Sequence, residues 1–377
     1  MSEIKLYCVL KSNVMKIRTG SDFSGVGAFD QALQRLGIEQ DKVFACDMDK
    51  YARQTYIHNY GEPNYYPENV YDREIPKESL DIYMTSPPCQ AFSLAGSRKG
   101  ENDKRGVLFY NSLEFIKENN PRYFIFENVK GLLSDDNGKT FGKWVDYLGG
   151  KSVNGNPVIF PREDSVPYHI YYKVLNAKNY GVPQNRERIF IVGVRDDKDN
   201  NFRFPKEQYL EKKLKDVLEN NVDEKYFLSH KAINSLILNK DVMQKSKINP
   251  NIANALQCPG HSCGNYKGMN AVSVMTATKK GYEIATDEDS INFSVPNSKT
   301  RRGRVGKGVA QILDTQCNQG TINSGEIRRL TPRECFRLMD FPDTFDFSVV
   351  SDTQAYKQAG NSIVVAVLEK IIKNLKL

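Results

Sequence analysis

At 377 residues, 40% of them hydrophobic and 26% charged, the chain has the make-up of an ordinary soluble globular protein with room for two domains, one holding a sizeable core. No apolar run approaches the roughly 18 residues that span a membrane, and Met1–Lys16 lacks the continuous hydrophobic stretch and small-residue cleavage site of a secretory signal. A net charge of +7 permits a polyanionic partner without requiring one, and seven scattered cysteines, an odd number, give no disulfide framework and point to a reducing cytoplasm.

The N-terminal half alternates strands and helices. Lys16–Thr19 reads as a short strand, followed by the glycine-bearing turn Ser24-Gly25-Val26-Gly27, after which Phe29, Ala32, Leu33 and Leu36 recur at helical spacing. Val43–Cys46 is a second strand and Asp49–Tyr60 a helix. Leu80–Met84, Tyr123–Phe126, Tyr171–Leu175 and Ile189–Val194 are further strands, with helices at Leu108–Glu118 and Phe141–Leu148 among them. Such alternation predicts a mostly parallel sheet covered on both faces. Gly149–Pro167, rich in Gly, Asn and Pro, reads as a surface excursion. After Arg195 the character changes: Asp196–Asn201 is a polar break, and Phe202–Gly325 has the composition of a separate, loop-rich domain. Regularity returns at Thr331-Pro332-Arg333-Glu334, where a Thr N-cap, Pro at the first helical position and Glu in the first turn announce a helix. Ser362–Leu377 closes the chain with Val364, Val367, Leu368, Ile371 and Ile372 on one helical face.

Chemistry concentrates at strand ends. Cys89, in Thr85-Ser86-Pro87-Pro88-Cys89-Gln90, follows the run Leu80–Met84, where a thiol is placed to attack a bound group. Glu127 ends another apolar run, and Arg186 and Arg188 stand at alternate positions just before a third. A thiol, an acid and paired guanidiniums, each beside a strand, make a reaction centre. The turn after the first strand lacks the third glycine of the dinucleotide pattern, which would fall at Asp30. Asp47, about 20 residues further on at the end of the second strand, is placed to accept hydrogen bonds from ribose hydroxyls. Together these favour a nucleoside cofactor without pyrophosphate, a description that S-adenosylmethionine fits. The densest basic patch, Thr300–Lys307, carries Arg301, Arg302, Arg304 and Lys307 with no acid, suited to reading guanine edges or clamping phosphates. Cys258, His261 and Cys263 lack a second ligand cluster to complete a tetrahedron, so no metal is expected. Trp144 reads as core and Asp287-Glu288-Asp289 as a solvated loop.

Taken in order, Phe23-Ser24-Gly25-Val26-Gly27, Pro88-Cys89-Gln90, Glu127-Asn128-Val129, Gln184-Asn185-Arg186-Glu187-Arg188, Arg329-Leu330-Thr331-Pro332-Arg333-Glu334-Cys335 and Gly360-Asn361-Ser362 resemble the motifs of cytosine-5 DNA methyltransferases of the bacterial and phage type. They bracket most of Arg18–Leu377. The resemblance implies an α/β fold: a Rossmann-like S-adenosylmethionine-dependent methyltransferase with a smaller, irregular, mostly-β target-recognition domain. Residues 1–195 and 355–377 would form the catalytic and cofactor-binding domain, 196–330 the recognition domain, and 331–354 a bridging hinge.

The implied reaction moves a methyl group from S-adenosylmethionine to carbon 5 of a cytosine flipped out of a specific duplex sequence. Carbon 5 is too weak a nucleophile until a thiolate adds at carbon 6, the role the resemblance gives Cys89. Glu127 would sit on the Watson–Crick edge and, protonated, donate to N3; Arg186 would face the catalytic pocket, with Arg188 beside it. For the cofactor, Phe23 would meet the adenine, Gly25 and Gly27 allow close backbone approach, and Asp47 hold the ribose. Met48, Asn69, Val70 and Pro88 would complete the pocket, closed by Asn361 and Ser362 from the C-terminal segment. Asn69-Val70 stands where an Asp followed by an aliphatic residue is usual. Ser93, with Arg98 and Lys99 in a mobile loop, would meet DNA alongside Arg301, Arg302, Arg304 and Lys307. Where the family carries a Thr-Leu dipeptide this chain reads Ile312-Leu313, leaving Thr315 or Thr321 as substitutes. Double-stranded DNA is the implied partner of a cytoplasmic monomer with no membrane contact. A cognate restriction endonuclease acting separately is one implied setting, protection of phage DNA the other. The alternatives are a tRNA cytosine-5 methyltransferase, whose Cys-Phe-Thr signature is not found between Asp196 and Gly325, and a catalytically silent sequence-specific DNA-binding protein, against which Cys89, Glu127 and Arg186 speak.

Overall fold

In the computed structural model, which describes residues 16–87, 107–198, 201–229, 232, 271–296, 298–323 and 326–377, the main feature is an eight-stranded mixed sheet. Its strands are β1 (Ile17–Asp22), β2 (Gln40–Cys46), β3 (Ile82–Thr85), β4 (Tyr123–Val129), β5 (Ser152–Val153), β6 (Asn156–Pro157), β7 (Tyr168–Asn176) and β8 (Glu187–Arg195), in the order β2-β1-β3-β4-β8-β7-β5-β6. Helices α1 (Ala28–Arg35), α2 (Lys50–Tyr60), α3 (Val107–Asn119) and α4 (Lys139–Leu148) alternate with them. The chain passes from β1 to β2 on one side, then returns across β1 to β3 on the other. That reversal opens a crevice at the carboxyl ends of β1 and β3, where open α/β sheets bind ligands.

The central strands are buried on both faces, which is why they read as continuous apolar runs. Alternate residues go to opposite layers. Ile82, Met84, Tyr123 and Ile125 face the layer of α1, whereas Tyr83, Phe124 and Phe126 face Phe115, Ile116, Trp144 and Leu148 of α3 and α4. Trp144 is core, stacked on Phe109 at 4.1 Å.

The sheet departs from the mostly parallel arrangement that strand–helix alternation predicts. β2, β1, β3 and β4 are mutually parallel, but β8 runs antiparallel to both β4 and β7. Between Asn176 and Glu187 the chain makes only a 3₁₀ turn (Ala177–Tyr180), too little for a parallel crossover, so β7 and β8 form a hairpin. One consequence is functional. The amino end of β8 comes to lie beside the carboxyl end of β4, with Arg188 opposite Val129.

The loop-rich region folds, among the described residues, into short antiparallel strands. β9 (Ala271–Met275) pairs with β10 (Tyr282–Thr286), and β11 (Ser290–Asn292), β12 (Val305–Gly306), β13 (Gln319–Asn323) and β14 (Glu326–Arg329) form a four-stranded sheet in the order β12-β11-β13-β14. Val272, Val274, Ala285, Ile291, Ile322 and Ile327 give it a small core of its own. Asp289, expected in a solvated loop, is instead buried: its carboxylate accepts from the Thr286 and Gly308 amides at 2.8 and 3.1 Å and pairs with Lys307.

The C-terminal helices α5 (Pro332–Leu338), α6 (Asp352–Asn361) and α7 (Val365–Lys373) return to the large sheet. Val367, Leu368 and Ile371 join Phe29 and Leu33 of α1 in one core, to which Phe336, Phe341 and Phe345 also belong. Among the described residues, no helix is long and apolar enough to cross a membrane.

The start of α5 is a capping box, with the Glu334 amide donating to Thr331 Oγ1 at 3.2 Å and the Thr331 amide to Glu334 Oε2 at 2.8 Å. The same carboxylate forms a two-pronged ion pair with Arg328 of β14, at 2.6 and 2.8 Å, both side chains being essentially inaccessible. Glu334→Ala leaves that guanidinium buried without its counter-charge and is expected to destabilise the fold by about 3–5 kcal/mol. Chemical denaturation measures this; a loss under about 1 kcal/mol, the scale of exposed pairs, would contradict it.

Candidate active site

β1 ends at Asp22, and the chain turns into α1 through Phe23, Gly25 and Gly27 at φ 57°, 55° and 84°. Positive φ suits the glycines; at Phe23 it is strain, of the kind held at binding sites. Gly27 has a second constraint, since a Cβ there would lie 2.3 Å from the Tyr60 ring. The turn is tied to the end of β2, with the Ser24 amide donating to Cys46 O at 3.0 Å and the Gly25 amide to Asp47 Oδ2 at 2.8 Å. Asp47 Oδ1 accepts from the Asp49 amide at 2.8 Å, and Asp49 in turn caps α2. Burial pushes the Asp47 carboxyl up despite these amides. Each of its oxygens keeps a second lone pair for a hydroxyl. Met48 beside it is 84% exposed.

A cavity of ≈ 340 Å³ opens here, lined by Phe23, Gly25, Asp47, Met48, Pro87, Glu127, Asn128, Arg186, Arg188, Asn361 and Ser362 among others. Glu127, at the carboxyl end of β4, is buried and paired with Arg188 (Nε to Oε1, 3.0 Å). Burial raises its carboxyl above the ordinary range, while Arg188 first and Arg186 second draw it back. Asn128 donates from Nδ2 to Pro87 O at 3.5 Å, tethering the end of β3 to β4.

Arg186 lines the cavity and also does something its sequence position did not announce. It is buried, and its guanidinium donates to Gly360 O at 3.1 Å, Ser362 O at 2.7 Å and Leu313 O at 3.4 Å. Arg186 thus ties the C-terminal turn to the segment around Leu313, whereas Arg188 makes the direct ion pair with the acid. Gly360 shares in this lock, because a Cβ would sit 2.5 Å from Asp314 O. Gln319, buried under the same segment, donates to the carbonyls of Gln311 and Ile312 at 3.1 and 2.7 Å and accepts from the Gln311 amide at 2.9 Å. Nothing in the local sequence marks Gln319 for this role. Ile312 is left 47% exposed on the pinned backbone. Of the two threonines considered, Thr321 is buried and donates to Asp289 O, while Thr315 is exposed next to Gly360.

Several expected residues lie elsewhere. Asn69 and Val70 do not line the cavity: Asn69 Oδ1 accepts from the Tyr71 amide at 3.1 Å, and Val70 is buried. Gly27 shapes the turn without lining the cavity. Arg304, expected on DNA, is 1% exposed and donates to the carbonyls of Asn292, Ser294, Val295 and Pro296, so it braces the loop it was expected to project from. Arg301 holds Asn292 Oδ1 at 2.8 Å, and Lys307 is exposed but engages Asp289. Arg302 is exposed. Pro88, Cys89, Ser93, Arg98, Lys99, Cys258, His261 and Cys263 lie outside the described residues.

Comparison with known proteins agrees in kind. A family model described as C-5 cytosine-specific DNA methylase matches residues 17–377. The chain is 33% identical to the orphan methyltransferase M.SPRI of Bacillus phage SPR, over 96% of this chain and 97% of that one. It is 36% identical to the type II methyltransferase M.SsoII of Shigella sonnei (94% and 79% covered) and 34% identical to the type II methyltransferase M.HpaII of Haemophilus parainfluenzae (94% and 87%). Among solved structures, a putative DNA modification methyltransferase encoded within a prophage in E. coli superposes with a TM-score of 0.61 at 21% identity, covering 95% of this chain and 98% of that one. A Spodoptera frugiperda DNMT2 mutant gives 0.59 at 19%, covering 95% and 99%. At those identities the structures speak for the fold alone.

Proposed function

The chain belongs to the C-5 cytosine-specific DNA methylases, and from that membership we propose that its cavity holds S-adenosylmethionine beside a cytosine extruded from duplex DNA. As a DNA cytosine-5 methyltransferase it must bring a methyl donor and the base's reacting edge together. The observation that carries the proposal is that one cavity is lined both by the strained Phe23–Gly25 turn with Asp47 and Met48 and by Glu127, Arg188 and Pro87. Its volume lies within the range of about 300–1,000 Å³ usual for small-molecule sites.

The residues present fit the cofactor. Phe23 and the exposed Met48 offer apolar surface to an adenine, Asp47 has lone pairs for ribose hydroxyls, and the glycine turn admits close approach without the full pyrophosphate cradle. When bound, S-adenosylmethionine supplies an electrophilic methyl group. The chain's own groups prepare the base. Cys89, two residues beyond Pro87, adds as thiolate to carbon 6. Glu127 delivers a proton toward N3, and Arg188 holds that carboxyl in place. Carbon 5 then becomes electron-rich enough to take up the methyl group, and a base that removes the carbon 5 proton lets the Cys89 thiolate leave carbon 6, restoring the ring double bond and the free thiolate. Arg302 and the exposed Ile312 and Thr315 belong to the recognition part, read as 196–330, which meets double-stranded DNA as part of a monomer. Where the chain works opposite a separate nuclease, the methyl mark shields the shared site.

Tritium from labelled cofactor is expected on duplex DNA, and bisulfite sequencing of DNA from expressing cells is expected to show one protected sequence context. Label appearing on tRNA alone would defeat the proposal.

A further inference from the structure

We propose that the buried Asp22–Arg73 ion pair is a positioning device for the cofactor turn, holding Phe23 in register with the segment that carries Asn69 to Arg73. The inference rests on the reading of this cavity as the S-adenosylmethionine site. Asp22, the last residue of β1, is 1% exposed, and Arg73 is 7% exposed. Arg73 Nε donates to Asp22 Oδ1 at 2.9 Å, and the Tyr83 hydroxyl donates to Oδ2 at 2.6 Å. The guanidinium carbon lies 4.4 Å from the Phe115 ring centre and 5.6 Å from that of Phe44, so the pair sits in an aromatic box.

Two charges removed from water among aromatic rings add little net stability over an apolar pair of equal volume. Geometry is what they supply. Asp22 immediately precedes Phe23, whose φ of 57° has to be enforced by its surroundings. Arg73 Nη2 donates to Asn111 Oδ1 at 3.0 Å, and Asn111 Nδ2 donates to Val70 O at 3.1 Å, so α3 grips both ends of the 70–73 stretch. Ser112, next on α3, bonds Thr85 at the end of β3 (2.9 Å), and Ser86 Oγ donates to Phe23 O at 3.4 Å. β1, β3, α3 and the 69–73 segment therefore converge on one carboxylate–guanidinium contact directly beneath the turn.

Arg73→Met alone strands a buried carboxylate and confuses unfolding with function. The informative variant is Asp22→Asn/Arg73→Met, which removes both charges, nearly keeps the volume and leaves an amide oxygen to accept from the Tyr83 hydroxyl. It is expected to unfold at a denaturant midpoint near that of the unaltered protein. Its KM for S-adenosylmethionine and its Kd for S-adenosylhomocysteine should rise about 10-fold, with kcat and the KM for DNA held within about 2-fold. Asn111→Ala, which leaves the charges in place, should shift the cofactor constants the same way by about 3-fold. An unchanged cofactor KM in a folded double variant, or equal losses in kcat, DNA KM and cofactor KM, would overturn the proposal. So would an unchanged cofactor KM in Asn111→Ala. The unaltered protein in the same titration separates the two levels: if it takes no cofactor, the functional reading itself falls.

Discussion

Cys89→Ser is expected to lower methyl transfer by about 10³-fold or more while cofactor and DNA affinities stay within a few-fold. The physical reason is nucleophilicity. A thiol is a few per cent thiolate near neutral pH and intrinsically reactive, whereas a serine hydroxyl at the same place has almost no alkoxide without a dedicated base. The residue two before Cys89 is tied to the strand that carries the acid. Thr85 pairs with Phe126 across β3 and β4, and Asn128 donates to Pro87 O, so the chain at Pro87 lies beside the end of β4 that carries Glu127. Single-turnover transfer of tritium measures the loss. A duplex carrying 5-fluorocytosine gives the complementary result, because fluorine does not leave as a proton and the adduct persists through denaturing electrophoresis. The unaltered protein should show the shifted band and Cys89→Ser should not. Full transfer by the serine variant, or active protein that never forms the band, would exclude the covalent route.

Much of the fold is legible because the sheet is buried on both faces. Phe124-Ile125-Phe126 reads as a strand for the reason that it is one: consecutive side chains enter two different cores. The start of α5 is equally plain, since Thr331, Pro332 and Glu334 each satisfy a distinct need of a helix N-terminus. Strand direction is another matter. The periodicity of β8 is the same whichever way it runs, and only the short link from β7 dictates the hairpin. Charge is legible but burial is not. Arg304 sits in the most basic stretch, yet an irregular loop leaves carbonyls that need donors, and this guanidinium meets those of 292–296. Alternate spacing put Arg186 and Arg188 on one side without saying which reaches the acid. Register decides that, because Arg188 pairs with Val129 while Arg186 precedes the strand. The Asp22–Arg73 contact joins residues 51 apart and leaves no local pattern.

Glu127→Gln is expected to reduce kcat by about 10²–10³-fold, the usual worth of a positioned proton donor, and to remove a limb from the pH profile. Burial raises the Glu127 carboxyl above its ordinary value, with Arg188 and then Arg186 opposing. The protonated form is the one that can deliver a proton to N3. Turnover by the unaltered protein should therefore hold steady below that raised value and fall as pH climbs through it. Stability carries the same sign. The folded protein holds this proton more tightly than the unfolded chain, so the associated stabilisation is complete below the unfolded glutamate value and is lost as pH rises through the folded one. Glutamine keeps the shape and an N–H donor but has no proton to transfer, so its residual rate should be insensitive over that interval. Arg188 keeps an acceptor in the amide oxygen at 127, which limits collapse of the site. Matched kcat-versus-pH curves for the two proteins provide the measurement. A glutamine variant that retains the alkaline fall, or that turns over within about 2-fold of the unaltered protein, would show that the proton reaches N3 from another group.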